Sequence, residues 1–222
     1  MDLESSKTLG GVGAILLLVG TLPVLSSYTF GVLGIIGIVL ILVALNSLAN
    51  IYMERGIFNN SLYGLIAGIV GAVIAVLVVV VAVLSNLKTL LEQLYPSWNG
   101  KWSSLSSISG MTPNTSNLTS STVVSVLEGV LVAFVILWIF LIVWAFFVRR
   151  SLKMLASKSS VGLFSTASLL LLIGAGLTIV IIGLLIMWIG VLLMAVAFFQ
   201  IKPQPEQAPG TVAPSSSMPT PV

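Results

Sequence analysis

Val76-Leu77-Val78-Val79-Val80-Val81-Ala82-Val83 forms the centre of an uncharged stretch that extends from residue 56 to residue 87. These 32 residues are enough for a helix that crosses the roughly 30 Å hydrocarbon layer of a bilayer. Valine-rich runs also favour strands, but an unpaired strand in lipid leaves its backbone N–H and C=O groups without partners. We therefore expect a membrane-spanning helix at about residues 62–86.

The composition of the whole chain agrees with a membrane protein. Of its 222 residues 58% are hydrophobic and only 7% are charged, and the mean hydropathy is +1.18. Soluble domains carry roughly a quarter charged residues, which keep a folded surface hydrated. The net charge of +3 therefore indicates basic residues that set membrane orientation, and we expect no nucleic-acid partner.

Charged residues separate the remaining apolar stretches. Residues 129–148 are uncharged and sufficient for one span, whereas residues 8–53 and 159–201 are too long for one span each. Pro23–Thr29 can connect two spans in the first of these long stretches. The sequence thus predicts an all-α, polytopic bundle of about six spans within residues 1–202, with the other five spans at about 8–24, 30–51, 123–148, 161–178 and 183–201.

The connection between the last two spans has a weak sequence signal. Thr178–Gly183 must provide the turn, although most of these residues are isoleucine or valine. A single long tilted helix over residues 161–201 is the alternative.

Two segments are too polar to enter lipid. Residues 87–122 are predicted to form an outer loop, with Trp98 and Trp102 as an aromatic anchor at the interface. Residues 203–222 contain six prolines and little apolar surface, so we expect a disordered tail. A polyproline ligand for a partner domain is the alternative interpretation of this tail.

The distribution of lysine and arginine predicts the orientation. Six spans place both termini on one side, and that side holds seven of the nine basic residues, which are Lys7, Arg55, Arg149, Arg150, Lys153, Lys158 and Lys202. By the positive-inside rule this side is cytoplasmic. Asn114 and Asn117 then lie outside, where each begins an acceptor tripeptide for N-glycosylation.

The residue inventory argues against an enzyme. The chain contains no histidine and no cysteine, which excludes zinc sites of those ligands and serine–histidine or thiol catalysis. Asp2 is the single aspartate and lies at the terminus, so an intramembrane aspartyl pair is excluded as well. We expect no enzymatic activity, no catalytic residue, no metal and no cofactor.

Two groups of residues are candidates for a role within the membrane. Asn46 and Asn50 lie four residues apart and share one helical face, which could line a polar path or hydrogen-bond to a neighbouring helix. Gly64, Gly68 and Gly71 form a small-residue face that allows close helix approach, either in a homo-oligomer or within one chain.

Two functions are consistent with these features. The first is a non-enzymatic protein of the cell membrane that acts through helix packing and contacts with a membrane partner or a second copy. The second is a transporter or channel for a neutral or apolar solute. The transporter hypothesis rests on two observations. One is the asparagine face, and the other is the similarity of Ala14–Gly20 to Ser168–Gly174, which is consistent with a duplicated hairpin.

Three segments resemble a known family. Leu3-Glu4-Ser5-Ser6-Lys7-Thr8-Leu9-Gly10-Gly11, Glu54-Arg55-Gly56-Ile57-Phe58-Asn59-Asn60 and Ala195-Val196-Ala197-Phe198-Phe199 are similar to segments of domain of unknown function 996, an archaeal membrane family. The resemblance covers about residues 3–202. It implies an archaeal origin and a multi-pass fold, and it implies no activity and no site residues.

Overall fold

The computed structural model describes residues 2–21, 28–117, 120–180 and 182–202. Within these ranges the chain forms helices and no strand, and six of the helices are long and apolar enough to cross a membrane. The expected all-α bundle is therefore confirmed. Its helices are α1 (Leu3–Gly20), α2 (Tyr28–Ile51), α3 (Arg55–Leu94), α4 (Ser120–Ser159), α5 (Leu163–Leu177) and α6 (Ile182–Phe199).

Consecutive helices pair as antiparallel hairpins. The pairs α1–α2, α3–α4 and α5–α6 make the most extensive contacts, and α4–α5 and α1–α6 join the hairpins. Helix α2 contacts α3 much less than it contacts α1. At the start of α1 the carboxylate of Asp2 accepts a hydrogen bond from the backbone N–H of Ser5 at 3.0 Å, and hydrogen bonding by Ser5 holds the pKa of Asp2 below its ordinary value.

Glycines allow two of these hairpins to close tightly. A Cβ at Gly37 would lie 2.6 Å from the carbonyl oxygen of Gly13, so α1 and α2 approach backbone to backbone. A Cβ at Gly183 would collide with the carbonyl oxygen of Gly174 at the α5–α6 crossing. Close backbone approach increases dispersion contact, which drives helix association where lipid tails are as apolar as the side chains.

The tightest core lies at the end of the bundle that carries most of the basic residues. Phe164 of α5 and Phe198 of α6 are fully buried and stack edge to face at 5.1 Å, next to Leu48, Ile57 and Leu155. This core fixes the relative positions of the helices at that end.

Helices α3 and α4 are longer than the spans predicted in them. Each has 40 residues, so the predicted spans 62–86 and 123–148 are central parts of continuous helices. The loop expected at 87–122 begins only after Leu94, because α3 continues to that residue. This last part of α3 carries an ion pair between Lys88 and Glu92 at 3.7 Å. Helix formation does not require an apolar sequence, so helices continue beyond the stretch that fits lipid.

The α3–α4 loop is built around an aromatic pair. Trp98 is only 5% exposed, stacks edge to face on Trp102 at 6.0 Å and donates its indole N–H to Ser104. Trp102 is 54% exposed. The prediction that both tryptophans form an anchor at the interface is therefore wrong for Trp98, which packs inside the loop. Burial of its large ring stabilises the fold of the loop itself.

Residues 161–201 form two helices, so the single-helix alternative is wrong. A 3-10 turn at Thr178–Val180 ends α5, and α6 begins at Ile182. The hydroxyl of Thr178 donates to the carbonyl of Gly174 at 2.8 Å, which satisfies one of the carbonyls at the helix end. The predicted Pro23–Thr29 connection falls mostly outside the described residues, and the predicted tail 203–222 falls wholly outside them.

Candidate ligand-binding cavity

A cavity of about 1050 Å³ lies in the middle of the bundle, beyond the tight core. Its walls come from all six helices and consist almost entirely of leucine, isoleucine, valine, methionine and aromatic side chains. The principal contributors are Ile38, Leu42 and Leu45 of α2, Leu65 and Ile69 of α3, Phe140 and Trp144 of α4, and Met187, Trp188 and Val191 of α6. Its volume is at the upper end of the range for small-molecule sites, about 300–1,000 Å³.

The cavity lies beside two helices, α2 and α3, that make few contacts with each other. Residues 52–54 connect the two helices at the basic end, and α2 contacts α3 much less than it contacts α1. Leu45 and Ser61 line the end of the cavity nearest this connection, and Leu184 and Leu185 line the opposite end. Neighbouring helices therefore enclose a space that is partly open to the surroundings of the bundle.

The hydroxyl groups in the wall are already hydrogen-bonded. Ser61 donates to the hydroxyl of Ser151 at 2.7 Å, and the hydroxyl of Thr21 donates to the carbonyl of Leu18 at 3.0 Å. None of the residues that line the cavity is charged. Such a wall can hold an apolar molecule through dispersion and shape, and it gives little orientation to a polar one.

The small-residue face of α3 packs against α4 of the same chain. A Cβ at Gly64 would lie 3.3 Å from the backbone carbonyl of Trp144, and one at Gly71 would collide with the Cβ and Cγ of Phe140. Gly68 has more room, because a Cβ there would meet Trp144 at 3.5 Å. The three glycines therefore face α4 of the same chain, and contact with a second copy, the other expected use, stays a prediction.

Asn46 and Asn50 both point outward at the basic end of α2. Neither amide side chain is hydrogen-bonded to another described residue. Together with Ala49, Arg55, Phe58 and Asn59 they line a separate pocket of about 270 Å³ between α2 and α3. The predicted asparagine face is thus a polar pocket at one end of the α2–α3 crevice.

The predicted glycosylation acceptors occupy the loop before α4. Asn114 and Asn117 are both exposed, and the side chain of Asn114 accepts a hydrogen bond from the backbone N–H of Ser116 at 3.0 Å. Residues 118 and 119, which complete the second tripeptide, lie outside the described part of the chain. The described residues include no cluster of acidic side chains that could hold a metal ion.

Several important side chains were missed by the sequence analysis. Buried hydroxyl pairs join helices at Ser6–Ser47, 2.6 Å apart, and at Ser61–Ser151, and the indole of Trp138 donates to the end of α5. Tyr52 follows α2, and its buried hydroxyl has no partner within the described residues; burial raises the pKa of this hydroxyl. Ser47 and Ser61 lie within uncharged stretches and were the available signal for these pairs, whereas Ser6 and Ser151 lie next to basic residues.

Comparison with known proteins identifies the family. The family described as "Protein of unknown function (DUF996)" matches residues 33–192. The uncharacterized protein MJ1644 of Methanocaldococcus jannaschii is 41% identical over 71 residues, which cover 32% of this chain and 36% of that relative. The match therefore spans about a third of the relative's length, and no solved structure matches this chain.

The family match also tests the three segments that carried the resemblance. It includes Glu54–Asn60, whereas Leu3–Gly11 and Ala195–Phe199 lie outside it. Because the match covers most of the bundle, from α2 into α6, this chain belongs to the DUF996 family of proteins of unknown function.

Proposed function

We propose that this chain is a non-enzymatic integral protein of the cell membrane that binds an apolar, lipid-like molecule in its central cavity and moves it within the bilayer. The observation that carries the proposal is the 1050 Å³ cavity with its uncharged, hydrocarbon-rich wall. In this proposal both termini are cytoplasmic, and the protein uses no metal, cofactor or nucleic acid.

The position of the cavity supports an apolar ligand. Ser61 and Leu45 bound it near the basic end, and Leu184 and Leu185 bound it at the far end, so it occupies the middle of the apolar part of the helices. A molecule dissolved in the hydrocarbon layer reaches such a site through the crevice between α2 and α3, where the two helices make few contacts.

The energetics of the site predict selectivity by shape. Moving an alkyl chain from lipid tails into an apolar cavity gains little from the hydrophobic effect, because both surroundings are apolar. Close packing against Trp144, Trp188 and Met187 can still distinguish one chain shape from another through dispersion contacts.

A photoactivatable long-chain alcohol tests the binding site in the purified protein in lipid nanodiscs. We expect saturable crosslinking to cavity residues such as Leu42 and Val191. Leu65→Trp, which fills the cavity, should reduce labelling at least tenfold. Ile66→Trp is the matched control, because Ile66 is the next residue, is 48% exposed and does not line the cavity. Equal labelling in both variants would refute the site.

Movement of the ligand needs a separate measurement. Proteoliposomes that contain a fluorescent neutral lipid in one leaflet should show faster transfer between leaflets with the parent protein than with Leu65→Trp. If the lipid binds to the protein but does not move faster between leaflets, the protein is a lipid-binding protein and the transport part of the proposal is wrong.

Contacts with a partner protein or a second copy are the other expected mode of action, and they have less support. The glycines that suggested an intermolecular face, Gly64 and Gly71, contact α4 of the same chain. The mass of the intact complex from native membranes, with and without residues 203–222, tests this alternative. A stoichiometric partner that is lost with the tail would favour it over ligand transport.

A further inference from the structure

The polar pocket between α2 and α3 differs in chemistry from every other part of the crevice. Its lining combines the amides of Asn46, Asn50 and Asn59 with the guanidinium of Arg55. These groups come from the last two turns of α2 and the first two turns of α3, so the short α2–α3 connection brings them together. Amide N–H₂ groups and a guanidinium all donate hydrogen bonds.

The charge of Arg55 is not neutralised within the described protein. Glu54 is the nearest acidic residue in the chain, and its carboxylate pairs with Lys158 at 3.5 Å. Among the described residues, two further ion pairs join Lys7 to Glu4 and Lys88 to Glu92. Arg55 takes part in none of these pairs.

The pocket lies beside the start of α3. Arg55 is its first residue, and the preceding Glu54 makes no side-chain hydrogen bond to the helix end. The first N–H groups of a helix have no partner inside the helix and carry its positive dipole end. The carboxylate of Glu54 also lies at this helix start, because a Cβ at Gly56 would be 3.2 Å from its Oε1. The arginine and the three amides of the pocket therefore carry the preference for an anion with several acceptor oxygens, and phosphate has this chemistry.

The polar pocket and the central cavity follow each other along the same crevice. On α2 the cavity ends at Leu45 and the pocket begins at Asn46; on α3 the cavity ends at Ser61 and the pocket begins at Asn59. From Asn59 to Ala72, at the far part of the cavity, α3 rises about 20 Å at 1.5 Å per residue. One leaflet of hydrocarbon is about 15 Å thick, so the crevice has the length of a lipid chain.

We infer that Arg55, together with Asn46, Asn50 and Asn59, binds the phosphate of a membrane lipid whose apolar chain lies in the central cavity. This inference rests on the proposed function and names its ligand as a phosphate-bearing lipid. The headgroup fixes the depth and direction of the molecule, which the uncharged cavity wall cannot do. Free inorganic phosphate offers the same acceptor oxygens and is the competing source.

The test compares three probes on the full chain in a mild detergent, read by mass spectrometry of the intact complex. Dioleoyl phosphatidic acid carries the phosphate, dioleoylglycerol has the same chains without it, and inorganic phosphate has no chain. We expect phosphatidic acid to bind at least tenfold more tightly than dioleoylglycerol, and excess inorganic phosphate to displace little of it.

Substitutions then locate the phosphate. Arg55→Gln should abolish the preference for phosphatidic acid and leave dioleoylglycerol binding unchanged. Arg150→Gln is the matched control, because Arg150 is an exposed arginine that does not line the pocket. If Arg55→Gln fails to fold, Arg55→Lys and the Asn46→Ala/Asn50→Ala double variant should each weaken the preference several-fold.

The outcomes separate this inference from the proposed function. Equal binding of both lipids by the parent protein, or an unchanged preference in Arg55→Gln, would overturn the phosphate site and leave the cavity proposal intact. Full displacement by inorganic phosphate would assign the pocket to the free ion and overturn the lipid headgroup. Absence of binding for both lipids would overturn the cavity proposal itself.

Discussion

The indole Nε1 of Trp138, in the middle of α4, donates a hydrogen bond of 3.1 Å to the carbonyl oxygen of Ala175, near the end of α5. The same N–H lies 3.3 Å from the carbonyl oxygen of Gly176. The last carbonyls of a helix have few partners within it, and the carbonyl of Ala175 also accepts a hydrogen bond from the backbone N–H of Thr178, so the indole is an additional donor at this helix end. Trp138 therefore caps α5 from a neighbouring helix.

Replacement of Trp138 by phenylalanine should destabilise the bundle. A smaller aromatic ring remains, and the hydrogen bond from the indole is lost. The Ala175 carbonyl keeps the backbone N–H of Thr178 as a donor, so we expect a cost of about 0.5–1.5 kcal/mol. Thermal unfolding in a mild detergent checks this prediction. Trp102→Phe is the control, because Trp102 is 54% exposed in the loop. Equal stability of both variants would refute the cap.

The α5–α6 crossing should not tolerate a side chain at Gly183. A Cβ there collides with backbone atoms of Gly174, Leu177 and Thr178, which cannot rotate away, so Gly183→Ala should cost about 1–3 kcal/mol. Gly176→Ala is the matched control, because a Cβ at Gly176 meets nothing within 4 Å. This control should be neutral or stabilising by up to about 1 kcal/mol. Unfolding of both variants in the same detergent gives the comparison.

Two neighbouring glycines of α3 should respond differently to the same substitution. Gly71→Ala forces a Cβ against Phe140 and should destabilise the α3–α4 pair by about 1–3 kcal/mol, whereas Gly68→Ala meets Trp144 at an ordinary 3.5 Å. Both variants should keep the oligomeric state of the parent, measured by light scattering. A change of oligomeric state in Gly71→Ala without loss of stability would indicate an intermolecular face instead.

Because of the buried hydroxyl of Tyr52, we expect the free energy of unfolding to decrease at alkaline pH. Burial raises its pKa above the ordinary 10.0, so the folded state holds this proton more tightly than the unfolded state does. Its contribution is complete below pH 10 and decreases as the pH rises through the folded-state pKa. Tyr52→Phe removes both this dependence and a buried hydroxyl without a partner. Unfolding measured between pH 8 and about 11.5 should show a smaller decline in the variant.

The proposed orientation can be tested because the chain contains no cysteine. Gly110→Cys in the α3–α4 loop should react with a membrane-impermeant maleimide added to intact cells. Ser157→Cys, at the basic end of α4, should react only after lysis. Gly110 has open space around it and Ser157 is exposed, so access to the reagent depends on the side of the membrane. The reverse labelling pattern would invert the orientation.

Some contacts lay within reach of sequence reasoning, and others did not. Ser61 and Ser151 are isolated hydroxyls near the ends of apolar stretches, and such residues commonly pair between helices. Nothing in the sequence, however, indicates that Ser61 meets Ser151 rather than Ser47, because the pairing depends on the register of α3 against α4. Trp138 gave no signal of its own, since tryptophan is also common at membrane interfaces.

The sequence left open whether residues 161–201 form one helix or two. By itself it determined the all-α class and the concentration of basic residues at one end. These follow from chemistry that acts along the chain: lipid requires backbone groups to be paired within a helix, and charged residues interrupt the apolar stretches. The tertiary structure alone decided which faces meet. In a soluble helix the apolar stripe marks the inward face, but here every face is apolar, so periodicity carries no such mark. The cavity and the pocket beside Arg55 therefore depend on how the helices pack against one another, which only the three-dimensional structure determines.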